Sequence, residues 1–222
     1  MVFPGKYKKS VGNLRYFRGN IREVREYFLP LMGILGEVIQ NAKGGGVLIP
    51  IIFLGIQANS SFLKLVREKL GEQSAFLSKE GFFAGEEGLY FLICEKEIPF
   101  LDAGGGLVVL GENFSAKNAP AHLMRATCIY PFRNSEAQNF VKESGLEKIS
   151  CGDCFGTVVL SGNREQTMVT LQRNIRTLSD SVTEAGDFPI TQSLFEKEDS
   201  ISVYELLAYT AIMLLIGRKD LL

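Results

Sequence analysis

The chain has 222 residues, 46% of them hydrophobic and 22% charged, and its net charge is −1. This composition is typical of a globular protein that can bury a core unaided, and four cysteines are too few for a disulfide-based scaffold. The near-neutral charge argues against a protein that binds polyanions over its whole surface, but it is compatible with a local basic patch.

The most distinctive charge feature is the N-terminal segment 1–28. It contains seven basic and two acidic residues, so its net charge is +5 and that of the remaining chain is −6. Cations neutralise phosphates and aromatic rings stack on bases, so this segment predicts contact with nucleic acid or another phosphate-rich partner. The alternative is a basic arm that packs on the acidic remainder of the chain or on another subunit. The contact residues predicted are Lys6, Lys8, Lys9, Arg15, Tyr16, Phe17 and Arg18.

Two elements are predicted next along the chain. The dense apolar stretch 47–55 predicts a buried strand with Pro50 near an end or at an edge. After it, Ser60 or Ser61 can cap a helix that Gly71 would close. The apolar face of this helix would be formed by Phe62, Val66 and Leu70.

The middle of the chain predicts short strands and helices. The β-rich stretches 89–94 and 98–101 flank three polar residues, which indicates a hairpin. The pattern then predicts a strand over 107–110, a short helix over 119–128, a helix over 135–144 closed by Gly145, and a strand over 155–160.

Two helices are predicted in the last third. Over 164–182, apolar residues recur every three or four positions, which is typical of an amphipathic helix; they are Met168, Leu171, Ile175, Leu178 and Val182. The last helix begins near Ser202, where Ser202 and Glu205 have the spacing of a capping box, and it ends at Gly217. Because this helix is apolar on all sides, burial in a core or an oligomer interface is favoured over a membrane span.

Strands and helices alternate through most of the chain. This order favours an α/β or α+β fold, with a mixed β-sheet layered with helices in a single compact domain. We divide the chain into the basic segment 1–28 and an α/β domain over 29–222. The basic start is not followed by an apolar stretch, so we expect a cytoplasmic location, and we expect a homo-oligomer or a subunit of a complex.

Two glycine triplets are the next candidates for a site: Gly44, Gly45 and Gly46, and Gly104, Gly105 and Gly106. Phosphate-binding loops follow a strand and open a helix, whereas both triplets precede a strand. The favoured interpretation is therefore a turn or a close backbone approach. The weaker alternative is a pair of ligand loops that, with Glu112, bind a nucleotide or a phosphorylated small molecule.

Four carboxylates lie near the second triplet in the sequence. We favour surface positions for them over a metal–nucleotide site, because charged side chains are mostly exposed. They are Glu95, Glu97, Asp102 and Glu112.

Cysteine and histidine provide little further chemistry. Cys151 and Cys154 form a C-x-x-C motif that precedes a strand rather than a helix, so reduced cysteines in a turn and a core are favoured over a redox or metal site. His122 is the single histidine and has no flanking catalytic motif, which favours a structural role. The sequence identifies no metal site and no cofactor.

One local resemblance lies in the C-terminal part of the chain. From Asp153 to about Phe195, the chain is similar to the C-terminal lobe of biotin carboxylases, with a strand, a glycine, an Arg–Glu pair and an amphipathic helix in order. The matching residues here are Val158, Val159, Leu160, Gly162, Asn163, Arg164 and Glu165, followed by the predicted helix. The match covers a fifth of the chain and none of the catalytic machinery, so it implies no site residue.

Two functions follow from these observations. The first is a non-catalytic binding or assembly protein that uses its basic–aromatic N-terminal segment on a phosphate-rich partner, either nucleic acid or a protein complex. The second is an enzyme that acts on a nucleotide or phosphorylated small molecule through its glycine-rich loops. The charge division of the chain favours the first.

Overall fold

The computed structural model describes residues 49–78, 81–84, 90–94, 100–119, 122–162, 167–191 and 201–222. The basic segment 1–28 with its predicted contact residues, the triplet Gly44, Gly45 and Gly46, and the carboxylates Glu95 and Glu97 lie outside these ranges. The interpretations made for them therefore stay predictions.

The described residues form one ten-stranded sheet, a two-stranded ribbon and three α-helices. The strands of the large sheet are β1 (Ile49–Leu54), β2 (Ser74–Ser78), β3 (Gly81–Ala84), β4 (Tyr90–Cys94), β5 (Phe100–Leu110), β6 (His122–Pro131), β7 (Glu147–Gly152), β8 (Val158–Gly162), β9 (Thr167–Leu171) and β12 (Gly186–Pro189). The ribbon pairs β10 (Ile175–Arg176) with β11 (Val182–Thr183), and the helices are α1 (Ser61–Leu70), α2 (Ser135–Ser144) and α3 (Val203–Leu215).

Seven consecutive strands in the middle of the large sheet are parallel, in the order β8, β7, β6, β5, β1, β4 and β2. Strands β9 and β12 extend the sheet on one side and β3 on the other, all by antiparallel pairing. The fold is thus a mixed sheet layered with helices in a single compact α/β domain, as the sequence predicted.

The central strand β1 is buried on both faces. Alternate residues of a strand point to opposite faces. Ile51 and Phe53 contribute to the core that contains α1 and α3, whereas Ile52 and Leu54 are buried on the other face. A strand that is covered on both faces needs apolar residues at successive positions, which explains the dense apolar pattern of residues 49–54.

Helix α3 occupies the centre of the larger core. All side chains of residues 206–215 are buried, and the helix packs on α1 and on β6, β7 and β8. The predicted capping box of Ser202 and Glu205 is confirmed, as is burial of the helix in a core. No helix in the described part of the chain combines the length and the apolarity that a bilayer crossing requires.

The helices predicted over residues 61–70 and 135–144 are confirmed. Ser60 caps α1, and Gly71 follows the helix with a φ of 49°. The predicted face of α1, formed by Phe62, Val66 and Leu70, is buried. Gly145 closes α2 in the left-handed conformation, which glycine adopts without steric cost.

The predicted hairpin between residues 89–94 and 98–101 is wrong. Strands β4 and β5 are both parallel to β1, which lies between them and pairs with each. Pro50 is the second residue of β1, so its predicted place near the end of a strand is confirmed, and that strand is central rather than at an edge.

Two predicted helices are strands. Residues 119–128 largely belong to β6. The stripe predicted over 164–182 is divided among β9, β10 and β11, except that Leu178 lies in the turn between β10 and β11. Thr and Val favour strands, and pairing of β9 with β8 and β12 satisfies its backbone on both sides. The biotin carboxylase resemblance fails at the same place, because its strand matches β8 but described residues 167–183 contain no helix.

The second glycine triplet lies inside β5 rather than in a turn. The pairing of β5 with β6 shifts register between Asp102 and Gly106, and Gly105 has a φ of 95°. A Cβ atom at Gly106 would lie 2.3 Å from the carbonyl oxygen of Pro50. Close approach of β5 to β1, one of the two predicted reasons for the triplet, therefore requires glycine at position 106.

Candidate functional site at the carboxyl edge of the sheet

The parallel strands β1, β5, β6 and β7 end at the same edge of the sheet. Their register aligns Leu54 with Leu110 and Pro131 with Cys151. The loops that follow these strands therefore lie side by side. In open α/β sheets this carboxyl edge is the usual place for ligands, so it is the first place to examine for a site.

Three helices begin at or near this edge. Helix α1 follows β1 and α2 follows β6, while Tyr204 in the first turn of α3 donates a hydrogen bond to the carbonyl oxygen of Leu110 at the end of β5. The N-terminus of a helix attracts anions because its first N–H groups have no partner within the helix. The edge therefore has the backbone groups from which an anion site can be built.

Each of these helix ends has a cap from the protein itself. Ser60 Oγ accepts from Leu63 N at 3.3 Å, and Asn134 Oδ1 accepts from Ala137 N at 2.9 Å. At α3, Ser202 Oγ accepts from Glu205 N at 3.2 Å. The strand–loop–helix connection of residues 55–60 also contains no lysine, the residue that a phosphate-binding loop places on the phosphates. Each cap engages one backbone N–H group of its helix, so part of the hydrogen-bonding capacity of this edge is used within the protein.

Asn134 connects two of the loops at this edge. Its Nδ2 atom donates to the carbonyl oxygens of Glu112 and Phe114, at 3.0 and 2.9 Å. The same side chain caps α2, so one residue positions both the loop after β5 and the start of the helix. This role was missed in the sequence, where the only signal was an asparagine directly before a predicted helix.

Glu136 reinforces the same connection from the first turn of α2. Its Oε2 atom accepts from Ala116 N at 2.8 Å and from Ser115 Oγ at 3.0 Å. The bond from the Ala116 backbone, and next the bond from Ser115, stabilise the carboxylate and lower the pKa of Glu136. This carboxylate therefore stays charged and holds a loop, which does not suit it to take up or release protons near neutral pH.

The loops after β6 and β7 present a different surface. Arg133 and Asp153 form a salt bridge of 2.7 Å, and the rings of Phe132 and Phe155 have centroids 6.1 Å apart. Phe132 is 37% exposed and Phe155 is 68% exposed. We call these four side chains the FRDF surface; it combines apolar rings with one charge of each sign.

Two glycines shape the loop that carries half of this surface. Strands β7 and β8 are parallel, although only residues 153–157 connect them. A Cβ atom at Gly152 would lie 2.4 Å from the carbonyl oxygen of Phe155, and one at Gly156 would lie 2.8 Å from that of Ser150. The tight connection therefore depends on both glycines and leaves Phe155 directed away from the core.

The cysteines of the C-x-x-C motif have different environments. Cys151 is buried in β7, where desolvation raises the pKa of its thiol, and Cys154 is exposed in the following loop. Burial also raises the pKa of Cys128. A thiol with a raised pKa is a poor nucleophile, so the two buried cysteines have the character of core residues.

Two of the four carboxylates that were grouped along the sequence lie in the described residues, and these two are separated in the structure. Asp102 lies near the start of β5, and Glu112 follows its end. Ten residues of extended chain span roughly 30 Å. Asp102 and Glu112 therefore cannot share one site, and Gly104, Gly105 and Gly106 are also remote from Glu112. His122 begins β6 beside Phe100, at the opposite edge from the loops described above.

No group of three or more His, Cys, Asp or Glu side chains placed to hold a metal ion occurs among the described residues. This observation concerns only those ranges. Glu95 and Glu97, which were considered above for a metal–nucleotide site, lie outside them.

No family model matches the chain, and no curated protein matches its sequence. Among solved structures, it is similar to MurF from Acinetobacter baumannii (TM-score 0.46, 10% identity, 84% of this chain and 46% of that one) and to MurF ligase from Thermotoga maritima in complex with ADP (TM-score 0.41, 10% identity, 84% and 49%). A third is the UDP-N-acetylmuramate:L-alanyl-gamma-D-glutamyl-meso-diaminopimelate ligase from Neisseria meningitides (TM-score 0.39, 14% identity, 93% and 73%). The chain spans about half the length of the two MurF structures, and at these TM-scores the similarities assign neither a family nor a function.

Proposed function

We propose that this protein is a non-catalytic binding or assembly protein that holds a phosphate-rich partner with its basic–aromatic N-terminal segment. The observation that supports the proposal best is the state of the carboxyl edge. Its helix ends are capped by Ser60, Asn134 and Ser202, and the carboxylate of Glu136 is engaged by the neighbouring loop. The polar groups named here bond to other parts of the protein, which supports a binding role more than a catalytic one.

The charge division supports the same proposal from the sequence. A segment with net charge +5 on a remainder of −6 concentrates cations at one end of the chain. Each phosphate neutralised by a lysine or arginine releases counterions, which provides affinity without a preformed pocket. Tyr16 and Phe17 add rings on which bases can stack.

The alternative is an enzyme that acts on a nucleotide or phosphorylated small molecule through its glycine-rich loops. Among the described residues, the length of β5 separates Asp102 from Glu112, so this pair does not favour it. Gly44, Gly45, Gly46, Glu95 and Glu97 lie outside the described residues, so the alternative stays a prediction.

The test is fluorescence anisotropy with a labelled single-stranded oligonucleotide and the full chain. Replacing Lys6, Lys8 and Lys9 together by Gln should weaken binding at least about tenfold and reduce the slope of log K against log salt by about 2. Replacing Tyr16 and Phe17 by Ala should weaken binding with an unchanged slope, because the rings release no counterions.

The matched control is the triple variant Lys117→Gln, Lys142→Gln and Lys148→Gln. These lysines are exposed in the described domain, and their replacement removes the same charge. Affinity should stay within about twofold of the native chain. Equal losses in the two lysine variants, or unchanged binding after deletion of residues 1–28, would contradict the proposal.

A further inference from the structure

The FRDF surface differs from the rest of the carboxyl edge because it exposes large apolar side chains. Large exposed apolar side chains are few among the described residues, namely Phe132, Phe155, Val182 and Val203, and the two aromatic ones lie together here. The side chains of Arg133 and Asp153 next to them are 77% and 41% exposed. Aromatic and arginine side chains at the centre of a patch are the residues that contribute most to protein–protein binding.

Contacts within the chain also fix the backbone of the FRDF surface in the absence of a partner. Phe132 N donates to the carbonyl oxygen of Cys151 at 2.8 Å, and Gln138 Nε2 donates to the carbonyl oxygen of Phe132. Gly152 and Gly156 hold the second loop in its tight path. A surface whose backbone is already ordered loses little conformational entropy on binding.

The charges of Arg133 and Asp153 favour a second copy of the chain as the partner. The surface carries one cation and one anion side by side, so it complements neither a polyanion nor a polycation. In a two-fold symmetric interface, residue i of one copy meets residue j of the other, and j meets i. Arg133 of each copy would then face Asp153 of the other, with the phenylalanine rings packed about the axis.

We propose that the FRDF surface is the interface through which the protein binds a second copy of itself. The inference rests on the assembly part of the proposed function but not on the phosphate-rich partner. An exposed ion pair contributes only about 0–1 kcal/mol, so the rings provide the affinity and the charges set the orientation.

The experiment is sedimentation equilibrium of the full chain and its variants over a wide range of concentration. The native chain should form a reversible dimer, and Phe155→Ser should raise the dimer dissociation constant at least about tenfold. Val182→Ser is the control, since Val182 is 60% exposed on the β10–β11 ribbon and lies outside the surface. It should leave the constant unchanged.

A charge exchange tests the two-fold arrangement itself. Arg133→Glu and Asp153→Arg should each be monomeric, because like charges then meet across the axis. An equimolar mixture of the two variants should recover the dimer. In the mixed pair the introduced glutamate faces the introduced arginine, and the remaining native Asp153 faces the remaining native Arg133 of the other copy. Only a contact between copies can produce this recovery.

The control for the charge exchange is Arg176→Glu. It breaks the exposed Arg176–Asp180 pair, which lies outside the FRDF surface, and it should leave dimer formation unchanged. Circular dichroism spectra like those of the native chain establish that each variant is folded.

A monomeric native chain, a dimer that persists in Phe155→Ser, or a mixture that stays monomeric would each overturn the inference. Oligonucleotide binding by the N-terminal segment is a separate assay, so failure here and failure of the proposed function are distinguishable.

Discussion

At the scale of single residues, Gly106 allows β5 to lie close to β1. Its Cα faces the Pro50 carbonyl oxygen, and an added Cβ would come within 2.3 Å of that oxygen and 2.6 Å of Cγ of the proline ring. Neither neighbour is the end of a flexible side chain, so the strands themselves would have to separate.

Replacing Gly106 by Ala should therefore lower the free energy of unfolding by about 1–3 kcal/mol, measured by urea denaturation. Gly186→Ala is the control, because a Cβ at that strand position has nothing within 4 Å. It should stay within about 0.5 kcal/mol of the native chain. Equal stability of the two variants would show that the sheet accommodates the methyl group.

The carboxylate of Glu136 should make the free energy of unfolding depend on pH. Its pKa is lowered from the ordinary value of 4.5 by the bonds from Ala116 and Ser115, so its charged form is favoured in the folded state. A depressed pKa contributes stability above the unfolded-state value, and this contribution is lost as the pH falls through the folded-state value. The stability difference between the native chain and Glu136→Gln should be constant above pH 5 or so and shrink below 4.5. A difference that stays constant down to about pH 3 would contradict the assignment.

At the level of elements, Asn134 joins the start of α2 to the loop after β5. Asn134→Asp keeps the oxygen that caps Ala137 N but places a carboxylate against the carbonyl oxygens of Glu112 and Phe114. It should destabilise the protein by about 1–3 kcal/mol in thermal unfolding. Ser60→Asp is the control, because it exchanges one good cap for another at α1, and it should have little effect. An Asn134→Asp variant as stable as the native chain would mean that the Nδ2 bonds contribute nothing.

The elements also show where sequence patterns are sufficient and where they are not. Helices α1, α2 and α3 follow from local signals, since capping residues and closing glycines act within a few residues of each helix end. The helix predicted over 164–182 is wrong because its apolar residues lie in three separate short strands and one turn. In β9, the buried residues Val169 and Leu171 alternate with the half-buried residues Met168 and Thr170, and this period of two was the better signal.

For the whole molecule, the alternation of strands and helices was enough to predict a mixed sheet in a single α/β domain. The strand order could not be predicted from local patterns. Strand β1 lies between β4 and β5, and it pairs with residues that are about 40 to 55 positions away along the chain. The FRDF surface was missed for the same reason. Phe132 and Phe155 are 23 positions apart, and only the parallel pairing of β6 with β7 brings their loops together.

The most direct test of a binding and assembly role is native mass spectrometry of the freshly purified protein, together with its ultraviolet absorbance spectrum. We expect a multiple of the 24.6 kDa chain mass, either free of small ligands or with nucleic acid that co-purifies. A stoichiometric nucleotide or small phosphorylated metabolite bound to each chain would contradict this role and would direct attention to the enzyme alternative.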